Sequence, residues 1–166
     1  MRALFLVLSL TFFSCSSQSE NQISQGPVPA HLQTLFPKGI ITIDQSPAEL
    51  NTLNDKVIAF YFITQGNPHA PKTTELMSIL AANYSYRFKV IVVNPHDQDQ
   101  TFIASFKNYK ELFYMVEPGQ AKKLAKKYRI TSAPSVVVLD TEGKLITRNG
   151  VDAIIDNTPR LPGGWN

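Results

Sequence analysis

The chain of 166 residues holds a single cysteine, Cys15. No disulfide can close within it, and no pair of thiols can cycle between dithiol and disulfide. Charge is sparse as well: Asp, Glu, Lys and Arg make up 17% of the residues, and the formal net charge is +3, or +2 without Arg2. So small a surplus gives no electrostatic case for nucleic acid or anionic lipid as a partner. The one basic run, Lys122-Lys123 with Lys126-Lys127, reads as the solvated face of a helix. No apolar stretch approaches the roughly 20 residues of a membrane-spanning helix, and no internal repeat is present. The apolar content of 43% is ordinary for a globular protein. The length suits one domain with a core of its own, and without disulfides that core alone must stabilise it.

The N-terminus has the form of an export signal. Arg2 supplies one positive charge, Leu4 to Phe13 an apolar stretch of about ten residues, and Ser14-Cys15-Ser16-Ser17 a small-residue segment. Cys15 has two readings. In a bacterium, small-residue-then-cysteine resembles a lipobox, with Phe12 where that motif usually has leucine, and Cys15 would then carry a lipid. Alternatively, cleavage a residue or two later discards it. The expected organisation is a signal peptide over 1–15, a flexible linker over 16–33, rich in Ser, Gln and Asn with Pro27 and Pro29, and a folded domain over 34–166.

Within the domain, Ile40-Ile41-Thr42-Ile43 predicts a first strand. Ser46-Pro47-Ala48-Glu49-Leu50 predicts a helix start, with Ser46 as N-cap, Pro47 at the first position and Glu49 closing a capping box. Val57 to Ile63 and Lys89 to Val93 are continuously apolar, as in strands covered on both faces. Between them a helix from Pro71 carries Leu76, Met77, Leu80 and Tyr84 on one side, which makes a right-handed crossover unit. Gln98 to Tyr109 is a second helix candidate, with Phe102 and Phe106 four apart, and Glu111 to Val116 has no firm assignment. Ala121, Leu124, Ala125 and Tyr128 give the clearest helical stripe, over Gln120 to Tyr128. Val136 to Leu139 and Lys144 to Thr147, joined through Asp140-Thr141-Glu142-Gly143, predict a hairpin. The class is α/β.

The order of these elements and several separated strings resemble the nucleoredoxin and tryparedoxin branch of thioredoxin-like proteins. The matching strings are Tyr61-Phe62, Asn94 to Asp99, Leu124-Ala125-Lys126-Lys127-Tyr128, Ala133-Pro134, Val136 to Asp140, Gly143 to Thr147 and Leu161-Pro162-Gly163-Gly164-Trp165. The resemblance runs from roughly Leu35 to Trp165, about four-fifths of the chain. The resemblance implies a three-layer sandwich, with a central mixed sheet, flanking helices and a C-terminal hairpin. In that branch a Trp-Cys-Pro-Pro-Cys site follows the strand ending in Tyr-Phe. Here Gly66 stands at the tryptophan, Asn67 and Ala70 at the two cysteines, and only Pro68 matches. Exchange with a disulfide requires a thiolate, so Asn67-Pro68-His69-Ala70 is a degenerate redox site with no catalytic residue.

The resemblance also places Pro134 at the usually cis proline that faces the redox site, whose backbone neighbour can pair with an extended peptide. Asn67, His69, Ala133 and Pro134 are therefore peptide-binding candidates. His69 and His96 follow the carboxyl ends of adjacent predicted strands, where α/β folds keep their sites. With Asp97 they form a conceivable but weaker metal set, against exposed loop residues with no ligand. The expectation is a redox-inactive, exported domain that binds an unidentified protein or peptide. It would be lipid-anchored in a bacterial envelope or secreted, need no cofactor, and touch a membrane only through an anchor at Cys15. The alternatives are a non-redox enzyme or metal-binding protein using His69 and His96, or a purely structural envelope domain.

Overall fold

The computed structural model describes residues 26–96, 99–117 and 119–165. The signal segment, Cys15 and the metal candidate Asp97 lie outside them. Seven strands form one sheet: β1 Ile40–Thr42, β2 Pro47–Ala48, β3 Val57–Phe62, β4 Phe88–Val93, β5 Phe113–Val116, β6 Ser135–Leu139 and β7 Leu145–Thr147, in the order β2-β1-β5-β4-β3-β6-β7. β3 pairs in parallel with β4, and β4 with β5; the β3–β6, β6–β7, β1–β5 and β1–β2 pairs are antiparallel. The sheet is mixed, with the expected hairpin at one margin.

Continuous apolar runs in β3 and β4 are explained by two covered faces. Val57, Ala59, Tyr61 and Ile63, with Phe88, Val90 and Val92, point into one cluster. Ile58, Phe60 and Phe62, with Ile91 and Val93, point into the other. This is the period-two alternation of a pleated strand with a helix layer on each side. On the first face lie α2 Ala70–Asn83, α3 Gln100–Ala104 and α5 Gly150–Asn157, through Met77, Leu80, Phe102, Ile103 and Ile154. On the second lie α1 Ala30–Leu35 and α4 Ala121–Tyr128, through Leu32, Leu35, Leu124 and Tyr128. The four lysines of α4 are exposed, as the solvated-face reading requires. Trp165 closes the first face, stacked on Phe88 with ring centroids 6.2 Å apart.

Three elements depart from the sequence expectations, and one stretch left unassigned finds its place. The linker expected over 16–33 ends early, because α1 already starts at Ala30 and buries Leu32 and Leu35. The helix start at Ser46 is instead the edge strand β2, followed by a 3-10 turn at Leu50–Leu53. Thr42 decides this. Its N–H donates to the Ser46 carbonyl at 2.9 Å and its hydroxyl accepts from the Ser46 N–H at 3.2 Å, so the chain folds back as a hairpin. Pro47 is tolerated at that margin because no N–H is needed there. The helix expected over 98–109 is, from Asp99 onward, two short pieces. The Asp99 carboxylate caps α3 through the Phe102 N–H at 2.7 Å. Ser105 then turns its hydroxyl back to the Phe102 carbonyl at 2.6 Å, a local bond that competes with helix continuation, and a 3-10 turn follows at Lys107–Tyr109. Phe102 and Phe106 nevertheless pack ring to ring at 5.2 Å. The unassigned stretch near 111–116 supplies β5.

Helix α5, which no sequence signal announced, docks on β6 through Gly150. A Cβ built there would lie 2.9 Å from Val136 Cγ1 and 3.1 Å from the Val136 carbonyl oxygen. Alanine is the better helix former, yet Gly150→Ala is expected to destabilise the domain by about 1–3 kcal/mol, the usual cost of overpacking. Urea unfolding measures it; a variant as stable as the parent would show that α5 rides freely on the sheet.

Candidate functional site

The Asn67-Pro68-His69-Ala70 segment joins the end of β3 to α2. Ala70 N–H donates to the Asn67 carbonyl at 3.1 Å, so residues 67 and 70 share one turn at the helix entrance. Both ends of the Asn67 amide are engaged. Its Oδ1 accepts from the His69 N–H at 2.9 Å, forming an Asx turn, and its Nδ2 donates to the Ala133 carbonyl at 2.6 Å. The structure thus brings Asn67 and Ala133 together, with the Ala133–Pro134 peptide bond cis. Asn67, Ala133 and Pro134 are half-buried and His69 is exposed. The Ala133 N–H makes no hydrogen bond within the described residues.

Tyr61 holds the helix entrance from below. It is fully buried; its hydroxyl lies 3.0 Å from the Thr74 hydroxyl and donates to the Ala70 carbonyl at 3.3 Å. Thr74, in the second turn of α2, therefore belongs to the helix's anchorage. Burial pushes the Tyr61 phenol up to about 12, the Thr74 hydrogen bond opposing and Tyr109 adding to the rise. Burial likewise pushes Tyr128 up to about 12. A phenol whose folded value exceeds its unfolded value of about 10 favours the fold in its neutral form. That contribution is complete below about pH 10 and is lost as pH rises through 12. Phenolate absorbance against pH should therefore show a late phase coinciding with loss of near-UV circular dichroism, and Tyr61→Phe and Tyr128→Phe should each shrink it. Complete ionisation at pH 11 in a protein that stays folded would contradict this.

His69 and His96 each end an Asn-Pro-His string, 67–69 and 94–96. In each, the Asn side chain accepts from the His N–H, at 2.9 and 3.0 Å. The repeated string is the one sequence signal that marks both turns, and its simplest use is to end two neighbouring parallel strands. Both imidazoles are exposed, and among the described residues no group of three His, Cys, Asp or Glu side chains converges as a metal centre. No helix among them is long and apolar enough to cross a membrane.

A helix-covered mixed sheet, with a cis proline facing a strand-to-helix turn, defines a thioredoxin-like domain, here with an amide and a methyl group where a dithiol would sit. The chain belongs to the thioredoxin-like family, whose sequence model matches residues 54–145. A search of curated proteins finds no match. Solved structures similar in fold include tryparedoxin II from Crithidia fasciculata, at 17% identity and TM-score 0.70, covering 84% of this chain and 95% of that one. Native tryparedoxin I from the same organism is 18% identical at TM-score 0.68, covering 82% and 99%. Tryparedoxin from Trypanosoma brucei is 15% identical at TM-score 0.68, covering 81% and 97%. With one cysteine in the whole sequence, a Cys-x-x-Cys centre is absent from this chain.

Proposed function

We propose that this domain is a redox-inert binding module that pairs an extended peptide segment along the edge made by Asn67, His69, Ala133 and Pro134. The observation that carries the reading is the bond from Asn67 Nδ2 to the Ala133 carbonyl at 2.6 Å. A side chain standing at the position of a thiol is used to brace the turn before Pro134. That leaves the neighbouring Ala133 N–H as a donor to an incoming carbonyl, and the Ala133 oxygen keeps a second lone pair. Main-chain pairing of this kind gives affinity without any chemistry on the bound chain.

Selection of displayed peptides against the full chain, followed by amide shift mapping, tests it. Enriched peptides should move the amides of residues 67–69 and 132–135, and should lose roughly tenfold in affinity, about 1.4 kcal/mol, in Asn67→Ala. Peptides that move neither segment would count against the groove. Insulin reduction by the purified protein above background would count against redox inertness. Export, with either a lipid on Cys15 or its removal, belongs to the same reading and is supported by the leader composition; the mass of the mature N-terminus distinguishes the two.

A further inference from the structure

Beside the degenerate site lies a cleft of about 790 Å³, lined by neither Ala133 nor Pro134. One wall is the first turn of α2, with Ala70 and Lys72; the other is the stretch from α3 to the 3-10 turn, with Ser105, Phe106 and Tyr109. Its size falls within the range of small-ligand pockets. Gly66 and Asn67 line it as well, so residue 67 has the cleft on one side and, through its bond to Ala133, the peptide edge on the other. Gly66 sits at φ +74, and a Cβ there would meet nothing within 4 Å. The mouth of the cleft next to the peptide edge is therefore open.

We propose that this cleft receives an aromatic side chain of the same extended peptide, a specificity pocket that rests on the peptide-edge reading above. Successive side chains of an extended chain point to opposite sides, with a rise of about 3.4 Å per residue. A peptide whose backbone pairs at Ala133 and crosses Asn67 sends alternate side chains toward Gly66. Half-buried Tyr109, with the buried Phe106 behind it, supplies an aromatic wall against which a ring can pack edge to face. At the rim, Lys72 and Glu75 are both exposed, and neither joins an ion pair among the described residues. They complement a peptide that flanks its aromatic residue with charges of both signs.

The probe is N-acetyl-L-tryptophanamide, titrated into the full chain and followed by amide shifts. The expected result is saturable movement centred on Gly66, Ser105 and Tyr109, with a dissociation constant on the order of 1 mM. Two filled variants, Ser105→Trp and Lys72→Trp, come from opposite walls and from exposed positions, so at least one should fold. Each should weaken the probe at least tenfold, while Ala104→Trp, exposed but outside the cleft, should leave it unchanged. No saturable shift, or equal shifts in a folded filled variant, overturns the pocket. Selected peptides that move the Ala133 amide and leave the cleft amides still also overturn it, with the peptide edge intact. Cleft shifts from the probe, with no selected peptide pairing at Ala133, would instead break the peptide-edge reading and keep the aromatic pocket.

Discussion

Replacing Asn67 and Ala70 together by cysteine is expected to give a protein that catalyses insulin reduction by dithiothreitol, at a rate at least about tenfold above dithiothreitol alone, a barrier reduction of about 1.4 kcal/mol. The two positions lie in one turn, closed by the Ala70 N–H to Asn67 carbonyl bond at 3.1 Å. Two thiols there can close on one another. The turn opens the 14-residue helix α2, whose N-terminal N–H groups favour a thiolate at the first position. Residue 67 is half-buried, and so reachable by a disulfide. The double change removes the Asn67–Ala133 bond, at a cost of about 1 kcal/mol, which the fold should survive. Asn67→Cys alone supplies an attacking thiol with nothing to resolve the mixed disulfide, and should trap substrate without turnover. A folded double variant with no rate above background would mean that the frame around the site has drifted as far as its residues.

The largest effect on stability should come from Phe60→Ala. Phe60 is fully buried in the second cluster, with ring centroids 5.7 Å from Phe36, 6.2 Å from Phe62 and 5.5 Å from Tyr128. It joins β3 to the segment after α1 and to α4 at one point. Removing a buried phenylalanine typically costs about 3–5 kcal/mol, against a total of about 5–15 kcal/mol for a domain. No disulfide limits the loss. The variant should therefore be largely unfolded if the domain lies at the low end of that range, and otherwise show a urea midpoint lowered by at least about a fifth. A shift of under 1 kcal/mol would show that α4 and the segment at Phe36 collapse into the gap.

What the sequence made legible follows the strength of its periodic signals. The apolar runs of β3 and β4 could belong only to strands covered twice, and the stripe Ala121, Leu124, Tyr128 only to a helix on a core. The errors fall where a single side-chain bond outweighs propensity. Ser46-Pro47-Ala48-Glu49 has every residue of a helix start, but Thr42 binds Ser46 on both sides and makes a hairpin. Ser105 breaks a helix that Phe102 and Phe106 would otherwise extend. Leu32 and Leu35 were hidden in a polar neighbourhood, because six residues carry too little period to stand out. At the site, the missing thiols could be read directly from the string. The bond from Asn67 to Ala133 could not, since it joins positions 66 residues apart.

The margins of the sheet have a consequence for life at high concentration. One outermost strand, β2, is two residues long and begins with a proline; the other, β7, is three residues long beside an irregular register at Val138 and Leu139. Neither offers a length of free ladder on which another copy could grow. A chain with a strongly apolar centre and no disulfides would otherwise risk edge-to-edge aggregation whenever it crowds. Its blunt borders keep that centre from becoming a template.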